Sequence, residues 1–170
     1  MEKQMRTKPD IPVDVVKELF NLVDGVLYWK KKVARKVVVG DPAGQMRHDG
    51  YVLVGFGGTV YLAHRIIFAI VNGFYPDEVD HADGNPRNND PANLREATRS
   101  QNNMNRALQC NNTSGYKGVY LNKRIGMWHA RIKVGGKYMS LKYHKTVELA
   151  AEAYNKAQEQ YHGAFARGAY

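Results

Sequence analysis

The chain has 170 residues and carries 25 Lys and Arg side chains against 16 Asp and Glu, a formal net charge of +9. No apolar run approaches the ~20 residues that cross a bilayer, and the first residues lack the apolar core of a secretion signal. We therefore expect a cytoplasmic protein that neither spans a membrane nor is secreted. The net positive charge separately favours a polyanionic partner, with nucleic acid as the first choice and the surface of an anionic membrane as the second.

The positive charge is concentrated toward the C-terminal end. Residues 108–170 contain ten basic and three acidic side chains, whereas residues 51–107 contain five and six. A basic module beside a slightly acidic one is what a metal-dependent nuclease needs, because such an enzyme must hold phosphate and also a cation.

The first fifty residues predict a helix and a β segment. Residues 1–11 are expected to form a flexible tail, and a helix is expected over residues 12–22 because its apolar side chains fall on one face. Asp24-Gly25 predicts a turn before a strand at residues 26–29. The basic run over residues 30–39 is interpreted first as a solvated, twisted hairpin and second as a phosphate contact.

The middle of the chain predicts two hairpins, each followed by a helix. In chain order, the expected elements are a hairpin over residues 50–63 with its turn at Gly57-Gly58, a helix over 63–71 closed by Asn72-Gly73, a strand over 78–82, a loop over 83–92, a strand over 93–98 and a helix with Ser100 as its N-cap.

Polar side chains around the second hairpin have the chemistry of phosphodiester hydrolysis, which needs an activated water and charge neutralisation. His81 can act as a base near neutral pH, and Asn93 can fix its tautomer through the other ring nitrogen. Asp80 and Asn102 can offer oxygen ligands to a hard cation such as Mg²⁺. Adjacent strand residues face opposite sides, so Asp80 and His81 share a site only if the strand bends or stops there, which Asp83-Gly84 favours.

Together these residues resemble the HNH endonucleases, and most of all the phage and intron branch with a His-Asn-Asn pattern. The resemblance covers roughly residues 51–107, and the Leu27-Tyr28-Trp29-Lys30 segment is also typical. The matching runs are His64-Arg65, Val79-Asp80-His81-Ala82-Asp83-Gly84-Asn85, Asn88-Asn89, Asn93-Leu94-Arg95 and Ala97-Thr98-Arg99-Ser100-Gln101-Asn102.

This resemblance implies a ββα-metal hairpin, one divalent ion (Mg²⁺, with Mn²⁺ as the alternative), and nicking or double-strand cleavage of DNA. It places the general base on His81, the imidazole-orienting residue on Asn93, and the metal ligands on Asp80 and Asn102. A phage or mobile-element origin, of homing type, also follows from the resemblance. The alternative is a calcium-like or Asn-stapled polar loop without catalysis.

Four further side chains near this segment are candidates for accessory roles. Arg65, Arg87 and Arg95 are candidate phosphate contacts, with a solvated surface as the alternative. His64 has three interpretations: a DNA contact, a brace for the site, or a helix cap.

The C-terminal region predicts a linker and a separate small module. Residues 109–115 read as the linker, and the only cysteine, Cys110, excludes an intrachain disulfide and a cysteine-rich zinc site. Strands are expected over residues 116–122, 127–134 and 137–143, and a helix capped by Thr146 over 147–161. The sheet would turn one apolar face toward this helix and leave a basic, aromatic face open, as in proteins that read DNA with a sheet.

This module resembles the APETALA/ethylene-response-factor DNA-binding domain over roughly residues 113–166. The matching runs are Ser114-Gly115-Tyr116-Lys117-Gly118-Val119, Trp128-His129-Ala130-Arg131-Ile132 and Thr146-Val147-Glu148-Leu149-Ala150-Ala151-Glu152-Ala153-Tyr154. The positions that the resemblance assigns to DNA contacts are Lys117, Tyr120, Arg131, Lys133 and Ser140. Tyr120, Arg131 and Ser140 depart from the residues usual in plant members, so the base preference of those proteins is not carried over.

The sequence therefore predicts an α+β protein: a ββα-metal (HNH) nuclease module followed by a three-stranded antiparallel sheet packed on one C-terminal helix. The expected boundaries are an N-terminal segment at 1–50, the nuclease module at 51–108, the linker at 109–115 and the DNA-binding domain at 116–170. The expected function is metal-dependent cleavage of double-stranded DNA, by a monomer that would nick or a dimer that could cut both strands. The alternatives are a non-catalytic DNA-binding protein with a relic hairpin and, more weakly, an RNA-binding accessory protein.

Overall fold

The computed structural model describes residues 10–106, 108 and 111–166, and these ranges hold four α-helices and ten short strands in four small sheets. The helices are α1 (Val13–Leu19), α2 (Ala63–Asn72), α3 (Arg99–Asn105) and α4 (Val147–His162), and the strands are β1 (Phe20–Val23), β2 (Val26–Trp29), β3 (Gln45–Met46), β4 (Val52–Phe56), β5 (Thr59–Leu62), β6 (Glu78–His81), β7 (Leu94–Ala97), β8 (Val119–Asn122), β9 (Met127–Val134) and β10 (Lys137–His144). The chain divides into two compact units, Met1–Glu96 and Ala97–Tyr170.

Parts of two sequence predictions lie outside the described residues: the tail over residues 1–9, and Gln109 and Cys110 of the linker. Within the described ranges, no helix combines the length and the apolar character that crossing a membrane requires.

The N-terminal helix is shorter than predicted and passes directly into a β-hairpin. α1 ends at Leu19, and β1 pairs antiparallel with β2 around the predicted turn at Asp24-Gly25, so that Phe20 lies opposite Trp29. The prediction of a helix to residue 22 is wrong because the Phe20 ring packs in the core against the Trp29 ring, with centroids 4.8 Å apart. A short apolar run fits the periodicity of a helix as well as that of a strand, and here the packing of Phe20 in the core selects the strand.

The first unit is built around one hydrophobic core to which both of its α-helices and every strand except β3 contribute. β3, β4 and β5 form an antiparallel sheet in that order, and α2 follows β5 directly, ending at Gly73 in a left-handed conformation as the sequence predicts. The buried core side chains are Ile11, Val16, Phe20, Leu27, Trp29, Ala43, Val54, Ala63, Ile66, Ile67, Phe68, Val79 and Leu94. The first fifty residues therefore share a core with residues 51–96 and are part of the same unit.

β6, β7 and α3 follow one another in the order that the sequence predicts. β6 pairs with β7 in a two-stranded sheet, and the Ala82 N–H donates to the Asn93 carbonyl at 2.9 Å. The helix begins earlier than expected, because Thr98 and not Ser100 is the N-cap. The Gln101 N–H donates to Thr98 Oγ1, and the Thr98 N–H donates to Gln101 Oε1 at 2.7 Å. This reciprocal capping box satisfies both amide groups at the helix start.

The second unit contains an antiparallel sheet of three strands in the order β10-β9-β8, together with α4, which Thr146 caps as predicted. One apolar cluster joins the sheet to the helix: Val119, Ala130, Ile132, Ala150, Ala151, Tyr154 and Ala157. Gly118 lies where β8 begins, with φ +69°, and a Cβ there would overlap the Tyr154 ring and lie 2.6 Å from the Arg131 carbonyl oxygen. Glycine is therefore required for this close approach of strand and helix.

Candidate active site

His81 is the last residue of β6 and lies buried where the strand stops. The Gly84 N–H donates to the His81 carbonyl at 2.8 Å, which turns the chain out of the strand as the Asp83-Gly84 pair predicts. The imidazole is within hydrogen-bond distance of another buried side chain, because its Nε2 lies 3.2 Å from Asn89 Oδ1. An amide oxygen only accepts, so this contact makes Nε2 the protonated nitrogen and leaves Nδ1 as the basic one.

Asn89 was not among the candidate residues from the sequence. Its backbone is held by the N-terminal hairpin. At Gly25, in the β1–β2 turn, a Cβ would lie 2.9 Å from the carbonyl carbon and oxygen of Asn89, so the turn packs directly on this part of the loop. A segment more than sixty residues away in sequence therefore fixes the backbone of the residue that contacts His81. The only signal in the sequence was the Asn88-Asn89 pair in the matching pattern.

The structure gives Asn93 a different position from the predicted one beside the imidazole. Its Nδ2 donates to Asp83 Oδ1 at 3.0 Å and to the Asn88 carbonyl at 2.8 Å, and its Oδ1 accepts from the Asp83 N–H at 3.0 Å. Both amide protons are thus used in tying the two ends of the loop together. Asn93 holds the loop that carries Asn89, and Asn89 is the amide that contacts His81 Nε2.

Asp83 is the acceptor at the centre of this loop. Burial acts to raise the pKa of the Asp83 carboxyl, but hydrogen bonds from the Asn85 N–H and the amides of Asn88 and Asn93 outweigh it, so the pKa lies below its usual value. The carboxylate is therefore ionised at neutral pH and keeps the loop closed.

Asp80 forms an ion pair with Arg95 across the two-stranded sheet. Arg95 donates to Asp80 Oδ2 from Nε at 2.9 Å and from Nη2 at 2.7 Å. The Asp80 side chain is only 5% exposed and that of Arg95 is 23% exposed, so both charges are largely removed from water. Arg95 is thus a counter-charge for Asp80 in this structure, whereas the sequence predicts a phosphate contact.

The two predicted metal ligands belong to different units. Asp80 lies in β6 of the first unit, and Asn102 lies half-buried near the start of α3 in the second. In the described part of the chain, His, Cys, Asp and Glu side chains form no group of three or more arranged to hold a metal ion. In chemistry, the carboxylate oxygens of Asp80 and the amide oxygen of Asn102 are each of the type that Mg²⁺ prefers, and Mg²⁺ is usually held by one or two carboxylates together with substrate phosphates and water.

His64 packs against the catalytic candidate. Its ring centroid lies 5.0 Å from that of His81 and 5.4 Å from that of Tyr51, and Tyr51 also contacts His81 at 5.9 Å. Burial, followed by the neighbouring His81 and Arg65, lowers the pKa of His64 to about 3. His64 is therefore neutral at physiological pH and buried, which favours a brace over a phosphate contact. The cap interpretation is not supported, because the N-cap of α2 is Leu62.

The two remaining candidate arginines differ in environment. Arg65 donates to both carboxylate oxygens of Asp10, at 2.9 and 3.0 Å, and to the carbonyls of Pro76 and Asp77, so it ties α2 to neighbouring segments. These contacts disfavour the predicted phosphate role. Arg87 is exposed on the loop after β6, and its DNA contact stays a prediction.

The open face of the second unit's sheet carries a connected row of polar side chains. His129 stands opposite Tyr120 on β8 and opposite Tyr143 on β10. The Tyr120 hydroxyl contacts His129 Nδ1, the His129 Nε2 lies 2.7 Å from Ser140 Oγ, and the Tyr143 ring stacks on the imidazole at 4.4 Å. Burial, then Arg131 and His144, lowers the pKa of His129, so this row is neutral near pH 7.

Strict alternation along β10 would place Lys142 on this face together with Ser140, but Tyr143 stands there instead. The pairing of β9 with β10 shifts between Ser140 and Tyr143, and Lys142 adopts a left-handed φ of +72°. Such a bulge adds one residue to a strand and reverses the alternation beyond it.

Positive charge on the same face is held by aromatic rings. The Arg131 guanidinium lies 5.0 Å from the Tyr120 ring centroid and 4.4 Å from that of Tyr138, and Lys133 lies 5.8 Å from Tyr138. Arg131, Lys133 and Tyr138 are exposed. Lys117 differs, because its Nζ donates to the carbonyls of Met104 and Arg106 and so caps the end of α3. Its predicted DNA contact is therefore not favoured.

Comparison with known proteins finds a family match that spans the candidate active site. A family model described as HNH endonuclease matches residues 61–104, which include His64, Asp80, His81, Asn93 and Asn102. Residues 61–104 are thus similar to an HNH endonuclease domain. The chain is 36% identical over 98 residues to Protein 3.8 of Escherichia phage T7, which is 58% of this chain and 78% of that protein.

A second relative carries the family in its name. The chain is 35% identical over 106 residues to "Uncharacterized HNH endonuclease L560" of Acanthamoeba polyphaga mimivirus, which is 61% of this chain and 54% of that protein. No solved structure matches the chain significantly. The family match lies largely in the first unit and ends at residue 104, so the resemblance of residues 113–166 to the APETALA/ethylene-response-factor domain stays a prediction.

Proposed function

We propose that this protein is a Mg²⁺-dependent DNA endonuclease in which His81 is the general base. One observation carries the proposal: a buried histidine at the end of β6, with Asn89 on its Nε2, directly follows the buried Asp80 in the chain, within the segment that the HNH model matches. Phosphodiester hydrolysis needs such a base to take the proton of the attacking water.

His81 is prepared for that proton by its neighbours. With Nε2–H donating to Asn89 Oδ1, Nδ1 is the unprotonated ring nitrogen and therefore the one that we propose takes the proton from water. The rings of His64 and Tyr51 restrict rotation of the imidazole, and the neutral state of His64 adds no positive charge beside the base. Asn93 acts one step further away, because it closes the loop that positions Asn89.

Asp80 and Asn102 are the residues that we propose to hold the ion. When bound, Mg²⁺ would neutralise charge on the scissile phosphate and on the leaving oxygen. Arg95 donates two hydrogen bonds to the Asp80 carboxylate from the neighbouring strand and so orients it.

The second unit supplies a surface for double-stranded DNA in this proposal. Arg131 and Lys133 are exposed cations on one sheet face, and Tyr120 and Tyr138 hold the Arg131 guanidinium from two sides. A guanidinium fixed in this way loses less conformational entropy when it binds phosphate or a base edge. Ser140 and His129 extend the same face with hydrogen-bonding groups.

Plasmid nicking tests the proposed function. The purified chain should convert supercoiled plasmid to nicked or linear DNA when Mg²⁺ is added, and EDTA should stop the reaction. Cleavage that persists in EDTA would exclude the proposed metal site. DNA binding without any cleavage, in Mg²⁺ and in Mn²⁺, would instead identify a DNA-binding protein with an inactive hairpin.

Asn89→Leu should slow cleavage by about tenfold to a hundredfold, because it removes the acceptor that fixes the His81 tautomer. Asn89→Asp keeps an oxygen acceptor at the same place and should stay within a few-fold of the wild type. The measurement is the single-turnover rate at saturating enzyme, set against DNA affinity. A positioning role lowers the rate and leaves affinity unchanged, whereas equal rates for the two variants would contradict it.

A further inference from the structure

The loop that joins β2 to β3 carries the densest positive charge in the first unit. Residues 30–36, here named the basic loop, contain Lys30, Lys31, Lys32, Arg35 and Lys36, all exposed, and no acidic side chain. Met1–Glu96 contains thirteen basic and thirteen acidic residues, so without these five cations eight would face thirteen. The unit that holds the candidate active site would then repel a phosphate backbone.

Three of the five other cations among the described residues 10–96 are already paired. Arg47 pairs with Asp49, Arg65 with Asp10 and Arg95 with Asp80, and in the basic loop Lys31 pairs with Glu18 at 2.8 Å. Lys32, Arg35 and Lys36 form no ion pair with any residue of the described ranges. Their charge is therefore not offset locally.

The basic loop is held in place from inside the unit. Its base is closed by hydrogen bonds from the Gly40 N–H to the Trp29 carbonyl at 2.8 Å and from the Trp29 N–H to the Asp41 carbonyl at 3.0 Å. Val33 and Val37, four residues apart, pack against the hydrophobic core. Because these two valines point inward, the cations between and beside them are directed to solvent.

We propose that Lys32, Arg35 and Lys36 form a phosphate-binding surface of the nuclease unit that engages the backbone of duplex DNA. The proposal rests on the proposed function, since it takes DNA as the substrate. Contacts of this kind position a protein on the duplex and carry no base information. The basic loop thus compensates for the acidic remainder of its unit. It would contact DNA in addition to the sheet face of the second unit.

The salt dependence of DNA binding tests this surface. Removal of one cation that binds a phosphate should make the slope of log K against log salt concentration shallower by about 0.9, so the triple variant Lys32→Gln/Arg35→Gln/Lys36→Gln should be shallower by roughly 2.7. Affinity for a 30-base-pair duplex of any sequence (the length is about three helical turns) should fall by up to roughly a hundredfold near physiological salt. Fluorescence anisotropy in EDTA measures both quantities on the full chain without cleavage.

Two control variants separate phosphate binding from other effects. Lys32→Arg/Arg35→Lys/Lys36→Arg keeps every charge and should keep slope and affinity. Lys156→Gln removes an exposed cation from α4 and should leave the slope unchanged. All variants change exposed side chains, and circular dichroism should show the wild-type fold.

The outcomes distinguish this proposal from the proposed function. A wild-type chain that neither binds nor nicks DNA would overturn both. If the wild type binds and nicks but the glutamine variant keeps its slope and affinity, only the assignment of the basic loop is overturned.

Discussion

Replacing His81 by alanine is expected to slow DNA cleavage by about a thousandfold, within the range that a general base contributes, and to leave DNA affinity within about twofold of the wild type. The reason is that the imidazole is buried at the end of β6 and contacts Asn89, His64 and Tyr51, while the exposed cations lie elsewhere. The measurement is plasmid nicking under single-turnover conditions together with a gel shift in EDTA.

His48 provides the matched control for this variant. It lies exposed before β4 in the same unit, so His48→Ala removes an imidazole without touching the buried cluster. We expect cleavage by this variant to equal that of the wild type. Full activity in His81→Ala would remove His81 from the mechanism, and equal losses in both variants would point to a general effect on the fold.

The structure confirms those sequence predictions whose signals are local. Thr146 caps α4, Gly73 ends α2, and the turn at Asp24-Gly25 joins β1 to β2, because each of these features depends on neighbouring residues alone. The start of α3 is wrong by two residues because Thr98 and Ser100 both have hydroxyl groups. The Gln101 side chain decides in favour of Thr98.

The site was predictable as a set of residue types and less so as a set of contacts. Asn89 and Asn93 are chemically the same, and only the path of the loop decides which amide reaches His81. That path depends on Asp83 and on the packing of Gly25 against Asn89, which is set by tertiary structure. Alternation along strands likewise predicts which residues face one side, but it does not give the register that brings Arg95 to Asp80.

The Asp80–Arg95 pair makes a strong prediction about stability. Arg95→Met should lower the free energy of unfolding of the first unit by about 3 kcal/mol, because the nearly buried Asp80 carboxylate would lose its guanidinium counter-charge. Adding Asp80→Asn to this variant should recover much of the stability, since the charge itself is then gone. Urea unfolding in a Trp128→Phe background measures the effect, because Trp29 then reports on the first unit alone.

Mg²⁺ connects this pair to the proposed metal site. If Asp80 is a ligand, saturating Mg²⁺ should stabilise Arg95→Met more than the wild type, because the ion supplies the positive charge that the variant lacks. The same ion should stabilise the Arg95→Met/Asp80→Asn variant little, because the carboxylate has been removed. An equal response of all three chains to Mg²⁺ would exclude Asp80 as a ligand, even if Arg95→Met is as unstable as expected. Stability and metal binding then separate the structural role of the Asp80–Arg95 pair from the proposed role of Asp80 as a metal ligand.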